Sequence, residues 1–270
     1  MRIDQLLVQR QMASSRAQAQ RLIADGVEFL DDGVWRRCTK NGEDIADDAQ
    51  LRLLDDAQAR YVSRAGLKLE AGLRAMAWSP QGWQCLDVGQ STGGFTDCLL
   101  QSGASRVVGV DVGSGQLHAS LRQDPRVLCV EKCNARTLSS VDLAQAYAGR
   151  NQVAAGAADL GGQEPFVPVF DLVVIDVSFI SQTLLLPALL PLFKPGGRLL
   201  SLVKPQFELQ PGQVGKGGVV KQHHFFALVE QRLRNACAEL GLNVERWMES
   251  PIAGGDGNRE FLMAALWPAR

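Results

Sequence analysis

The chain has 270 residues, 46% apolar and 21% charged, with 27 Gly and 11 Pro, a profile that fits one or two packed globular domains and excludes a disordered or fibrous chain. Twenty-eight Lys and Arg balance 29 Asp and Glu to a formal net charge of −1, so any polyanionic partner must be met by a local patch. The longest nearly apolar run, Leu184 to Phe193, is half a bilayer crossing and holds Pro187 and Pro191, which predicts a kinked core helix and no membrane partner.

In chain order, Met1 to Arg21 carries Arg2, Arg10, Arg16 and Arg21 against Asp4, a local +3. The N-terminus enters an amphipathic pattern directly, without a signal-peptide stretch, which makes the cytoplasm the expected location. Ile3, Leu6 and Leu7, then Ala17, Leu22 and Ile23, fall at helical spacings; Ser14 or Ser15 can cap the second helix and Gly26 end it. Val27 and Phe29, Gly33-Val34, and later Ile45, Leu51 and Leu53 read as short strands. From Asp25 to Asp56 the charge reverses, four bases against ten acids. The pattern alone fits a structural α/β domain and an RNA-binding one equally well. Arg2 to Leu7, Ser15-Arg16 with Ala19, and Leu22-Ile23 with Gly26-Val27 resemble the opening of the S4 RNA-binding module. Its V-x-V-N-G hairpin is matched only loosely by the acidic Val27 to Gly33, which argues against phosphate contacts there. The resemblance implies RNA binding by Arg2, Arg16 and Arg21.

Residues 60 to 74 are basic again, with Arg60, Arg64, Lys68 and Arg74 against Glu70. The expected division is residues 1–59 as the S4-like domain, 60–82 as a basic linker and domain start that adds Arg60 and Arg64 to the RNA surface, and 83–270 as the larger domain. In the latter, Cys85 to Val88, Arg106 to Val112, Val127 to Glu131, Val169 to Asp176 and Arg198 to Val203 alternate with helical stretches. Val244 to Met248 and Glu260 to Leu266 follow as two late strands. This predicts a seven-stranded, mostly parallel, doubly wound α/β sheet with ligands at the carboxyl ends of its strands. Gly149 to Gln163 lacks a period and reads as a surface insertion.

After the first of these strands comes Asp87-Val88-Gly89-Gln90-Ser91-Thr92-Gly93-Gly94-Phe95, a glycine turn opening a helix. Ser91 breaks the dinucleotide pattern, and Gly212 to Gly217 lacks Walker spacing, so neither nucleotide-loop type is met. An acid followed by G-x-x-x-G resembles motif I of class I S-adenosylmethionine-dependent methyltransferases. That likeness marks Asp87, Gly89, Ser91, Thr92, Gly93, Gly94 and Phe95 as cofactor-binding, with Asp111 for the ribose hydroxyls and Asn134 for the adenine edge.

The methyl acceptor is narrowed by what is missing. The corner after the fourth strand, Asp176-Val177-Ser178-Phe179, is not the D/N-P-P-Y/F of amino-group methylases, and no cysteine follows a proline as pyrimidine C5 chemistry wants, leaving a hydroxyl. A ribose hydroxyl needs a general base, and lysine serves when burial or a neighbouring cation favours its neutral form, an effect that neighbouring carboxylates oppose. Lys68, Asp176, Lys204 and Glu260 can meet at the strand ends.

Val62 to Lys68, Asp87 to Thr96, Asp111-Val112-Gly113 with Gly115 to Leu117, Asn134 to Arg136, Asp176 to Ser181, Leu202 to Glu208, and Gly257-Asn258 with Glu260-Phe261 together resemble the TlyA family. That family joins an S4 domain to an FtsJ-like ribosomal RNA 2′-O-methyltransferase with a K-D-K-E tetrad, and its members are also called haemolysins. The resemblance implies cytidine ribose methylation in ribosomal RNA or ribosomal subunits, with S-adenosylmethionine as donor. Lys204 would stand closest to general base, Asp176 would orient it, and Lys68 with Glu260 would hold the ribose. A monomer without metal is expected, because the six cysteines form no C-x-x-C and no carboxylate or Cys flanks the histidines at zinc spacing. The competing readings are an RNA-binding protein with an inert methylase-like domain, and a cytolysin.

Overall fold

The computed structural model describes residues 1–13, 15–53, 60–155, 166–254 and 257–269, apart from the side chains of Ala17, Arg21, Asp25, Lys216 and residues 151–155. Two compact units divide the chain, Met1–Leu67 and Lys68–Arg270.

In the first unit α1 (Ile3–Gln9) and α2 (Arg16–Gly26) precede β1 (Val27–Asp31), β2 (Val34–Arg37) and β3 (Leu51–Leu53), which form an antiparallel sheet in the order β2-β1-β3. Ser15 caps α2, its hydroxyl accepting from the Gln18 N–H at 3.2 Å. The β1–β2 turn places Asp32 and Gly33 at φ 49° and 79°, the left-handed pair that an Asp-Gly hairpin requires. Ile3, Leu6, Leu7, Ala19, Leu22, Ile23 and Val27 form the core of this unit. Ile45 is not in a strand as its pattern suggests. It follows an isolated bridge between Arg2 and Asp44, which ends where the chain turns into α1, and its side chain joins the core.

Helix α3 (Ala65–Ala75) spans the boundary and leads in the second unit to β4 (Gln84–Val88), α4 (Gly94–Gln101), β5 (Arg106–Val110), α5 (Ala119–Gln123), β6 (Val127–Val130), α6 (Ser140–Ala155) and β7 (Phe170–Ile175). Then follow α7 (Leu186–Leu189), β8 (Phe193–Val203), α8 (Pro205–Glu208), α9 (His223–Glu239), β9 (Asn243–Glu249) and β10 (Phe261–Leu266). The seven strands run in the order β6-β5-β4-β7-β8-β10-β9; β4 to β8 are parallel, and β10 is antiparallel to both β8 and β9. The order reverses between β4 and β7, opening a crevice at their carboxyl ends.

Leu184 to Phe193 is broken as its prolines require: short 3₁₀ turns flank α7, and Leu185, Leu186, Leu189 and Leu192 are buried. Two boundaries differ from the sequence reading. The ladder of β8 starts at Phe193, paired with Phe170, and Lys194 to Gly197 bulge out before Arg198 resumes it opposite Leu172. The insertion read from Gly149 is helical as far as Ala155, since α6 continues through it; its Ala, Gln and Arg favour helix without an amphipathic period. Residues 156–163 of that insertion lie outside the described residues.

Candidate active site

The crevice is shaped first by glycine. Gly89 follows β4 at φ +86°, and a Cβ there would lie 2.4 Å from the Asp176 carbonyl oxygen, so the ends of β4 and β7 can meet only over a bare Cα. The Asp176 N–H donates to the Val88 carbonyl at 2.9 Å and closes the junction. Beyond the turn, the Ser91 N–H donates to Asp111 Oδ2 at 2.8 Å and the Gly113 N–H to Oδ1 at 2.7 Å. Both carboxylate oxygens are thereby oriented, each with acceptor capacity left over. Ser91 Oγ donates to Gln116 Oε1 at 3.1 Å, and Asn134 caps the 3₁₀ turn after β6 by accepting from the Arg136 N–H. The resulting cleft has a volume of about 580 Å³, and its walls include Gly89, Ser91, Asp111, Asn134, Asp176 and Phe179.

Asp87, Thr92, Gly93, Gly94 and Phe95 are not among the wall residues of this cleft. Gly93 and Gly94 start α4, and a side chain on Gly93 would strike Leu121 and Leu117. Asp87 is fully buried, accepting from Thr96 Oγ1 at 2.7 Å, while Thr96 in turn accepts from Gln90 Nε2 at 2.9 Å. Burial pushes the Asp87 carboxyl up to about 7, helped by the charges of Asp176 and Asp111 and opposed by the Thr96 hydrogen bond.

A second constellation adjoins the cleft through Asp176, whose Oδ1 meets Lys204 Nζ at 2.6 Å. Lys204 also donates to Ser178 Oγ at 3.1 Å. Lys68 and Glu260 form the other ion pair, with side chains 11% and 4% exposed. Strand register brings the pairs together: Phe261 is opposite Val203, so continuing the ladder by one residue sets Glu260 opposite Lys204. Helix α3 docks on β8 where Gly72 meets Leu200, and Lys68 lies one turn earlier. Gly254 leaves room for Glu260, since a Cβ on it would lie 2.6 Å from Glu260 Oε1. Buried Asn258 accepts from the Val220 N–H and donates to the Gly218 carbonyl, both at 3.0 Å, and ties the two loops beside Glu260 together. Two ion pairs therefore share a largely buried rim, where charges are weakly screened; the Lys204–Asp176 contact is a close ion pair without hydrogen-bond alignment. Ser178, Gln116 and Asn258 stand inside motifs that carry the family resemblance, but nothing in the sequence assigned any of them a role.

In the first unit Arg2 and Arg16 both reach the fully buried Asp4, at 3.0 and 2.9 Å, with their side chains 44% and 54% exposed. Arg21 is on α2, but its side chain lies outside the described residues. Arg60 is exposed and Arg64 partly so.

A family model described as FtsJ-like methyltransferase matches residues 61–266, which include every wall residue of the cleft and both ion pairs. The chain belongs to the FtsJ-like methyltransferase family. Within that family it groups with TlyA proteins. It is 39% identical over 262 residues to the "16S/23S rRNA (cytidine-2'-O)-methyltransferase TlyA" of Mycobacterium tuberculosis, covering 97% of this chain and 88% of that one. It is 35% identical over 268 residues to "Hemolysin A" of Brachyspira hyodysenteriae, covering 97% and 98%. A solved structure described as "Putative hemolysin from Streptococcus thermophilus" superposes with a TM-score of 0.71 at 37% identity, covering 99% of this chain and 88% of that one. The sheet order and the crevice beside β4 are thus those of an FtsJ-like methyltransferase chain, and the family match leaves residues 1–60 outside it.

Proposed function

We propose that this chain transfers a methyl group from S-adenosylmethionine to the 2′-oxygen of a cytidine ribose in ribosomal RNA. The observation that carries the reading is the Lys204–Asp176 pair, 2.6 Å long, whose Asp176 lies on the wall of a cleft that also holds a pre-oriented Asp111. The relatives named as cytidine-2′-O-methyltransferases support the same substrate.

The cleft fits the donor. Its 580 Å³ suits a ligand of nucleoside size, Asp111 keeps lone pairs for a ribose diol, Asn134 on the cleft wall would meet the adenine edge, and Gly89 with Ser91 would bring backbone close. When bound, S-adenosylmethionine supplies an electrophilic methyl group on a sulfonium. Lys204, as the neutral amine, acts nearest to general base and takes the ribose proton, Asp176 and Ser178 hold the ammonium that results, and Lys68 with Glu260 hold the ribose. A water-poor rim favours the step, because the developing alkoxide and the sulfonium cancel as the methyl group moves. Residues 1–59 serve as an S4-like RNA-binding domain. Arg2, Arg16 and Arg21, joined by Arg60 and Arg64 from the 60–82 segment, contact phosphates, and 83–270 form the catalytic domain. The protein works as a monomer in the cytoplasm on ribosomal RNA or ribosomal subunits.

The relatives named as haemolysins favour a second reading, a cytolysin. Among the described residues no helix is long and apolar enough to cross a membrane. Both readings are tested by supplying labelled donor with free ribosomal RNA, with each ribosomal subunit, and with dye-loaded liposomes. Label recovered as 2′-O-methylcytidine is the expected result. Liposome leakage without label in any RNA would replace the methyltransferase reading by the cytolysin.

A further inference from the structure

Glu208 is 3% exposed, and among the described residues no ion pair reaches its carboxylate. Burying a carboxylate in this way is costly unless its oxygens are fully used, and burial does push the Glu208 carboxyl upward. Both oxygens are used by two consecutive residues of one loop: Ser181 Oγ donates to Oε2 at 2.5 Å and the Gln182 N–H to Oε1 at 2.8 Å. The loop they belong to starts at Asp176 and carries Ser178, the two groups that Lys204 touches.

Lys204 is the N-cap of α8 and Glu208 its last residue, so a single helical turn joins the reactive lysine rigidly to the buried carboxylate. The far side of the turn is fixed as well, since Arg232 of α9 donates to the Glu208 carbonyl at 2.6 Å. The same loop is locked onto β8 from below: Gln182 Nε2 donates to the Leu202 carbonyl at 2.8 Å, and Ser201 Oγ donates to Gln182 Oε1 at 2.5 Å. Above, the rings of Phe179 and Phe207 bridge the loop and α8 with centroids 4.9 Å apart.

We propose that Glu208 is a positioning residue, a clamp that holds the Asp176–Gln182 loop against α8 so that Lys204 meets Asp176 and Ser178 in one geometry. This rests on the reading of Lys204 as the group that acts on the ribose hydroxyl. The clamp works through acceptor geometry rather than charge. A glutamine can keep it: its carbonyl accepts from the Gln182 N–H, and its amide donates to Ser181 Oγ, whose own hydrogen turns to Thr183 Oγ1 at 2.8 Å.

The test compares the parent with Glu208→Ala, Glu208→Gln and Ser181→Ala, counting sites by S-adenosylmethionine titration and measuring methyl transfer to ribosomal RNA per site. Misplacing a reacting group by an ångström costs about a hundredfold, so Glu208→Ala should lose about that factor in kcat while its cofactor affinity stays within about twofold. Glu208→Gln should recover to within about fivefold of the parent, the loss expected from weakening one charge-assisted hydrogen bond. Ser181→Ala, which removes one arm and leaves the carboxylate in place, should fall between them. An unchanged kcat per site in Glu208→Ala overturns the clamp, as does loss of cofactor affinity in step with activity or a glutamine as impaired as the alanine. Should Glu208→Ala not fold, Ser181→Ala with parental kcat per site overturns it equally. A parent that transfers no methyl group to ribosomal RNA would instead remove the proposed function, and is seen before any variant is compared.

Discussion

Asp4 in the first unit and Asp87 in the second are both completely buried, yet one receives the guanidinium groups of Arg2 and Arg16 and the other the hydroxyl and backbone N–H of Thr96. The side-chain hydrogen bond from Arg2, helped by Arg16, holds the Asp4 carboxyl well below the usual carboxylate range, whereas burial pushes Asp87 up to about 7. The contrast separates two uses of a buried acid. Asp4 stays ionised and aims two half-exposed arginines outward. Asp87 lies beneath the Gly89 turn, close to protonation at neutral pH.

The largest expected effect breaks that turn. Gly89→Ala places a Cβ 2.4 Å from the Asp176 carbonyl in a left-handed backbone. It should cost about 4 kcal/mol in denaturant unfolding, from strain and displaced backbone together, and abolish cofactor binding by calorimetry. Next comes Asp4→Ala, which leaves Arg2 and Arg16 facing each other without their anion. A loss of about 2 kcal/mol is expected, confined by hydrogen exchange to residues 1–53, because the charged hydrogen bonds to the carboxylate are lost while the half-exposed arginines stay solvated.

Asp87→Asn sharpens the comparison through pH. A carboxyl whose folded value is raised binds more protons folded than unfolded, so the parent loses stability as pH rises from about 4, the unfolded value, to about 7, and no further above it. The asparagine variant should lack that slope, match the parent near pH 4 and be the more stable above pH 7, read from denaturation midpoints. Asp4 has the opposite sign: its contribution is complete above about pH 4 and disappears as the solution is acidified below it. A variant with the parent's slope would show that Asp87 is not the group responsible. The smallest effect is Arg16→Gln, expected to lower the salt slope of RNA binding by about 0.9 for a duplex contact; an unchanged slope removes Arg16 from the RNA surface.

Much of the second unit was legible because its strands are short β-branched or apolar runs that alternate with helical stretches, and all seven appear where that pattern sets them, within a few residues. The bulge at Lys194 to Gly197 and the helical start of the 149–163 insertion were not, since a ladder irregularity depends on the partner strand and a helix without a polar face has no period to read. The four residues of the two ion pairs were found through motif likeness. Their meeting could not be read locally: Lys68 and Glu260 are 192 residues apart, joined through the docking of α3 on β8 and the register of β8 with β10. Glu208, Ser178 and Asn258 escaped for the same reason, as each acquires its role from a partner on another loop. Asp87 shows the converse: its place in the motif suggested a group facing the ligand, and the structure turns it inward onto Thr96.

We propose that Lys204, held by Asp176 and Ser178, acts on a ribose hydroxyl beside the cleft. Lys204→Ala, assayed in one preparation for S-adenosylmethionine affinity and for methyl transfer to ribosomal RNA, tests it most directly. Cofactor affinity close to the parent's with transfer reduced by about a thousandfold or more is the predicted result, in line with loss of a general base. Transfer at the parent's rate would contradict the account.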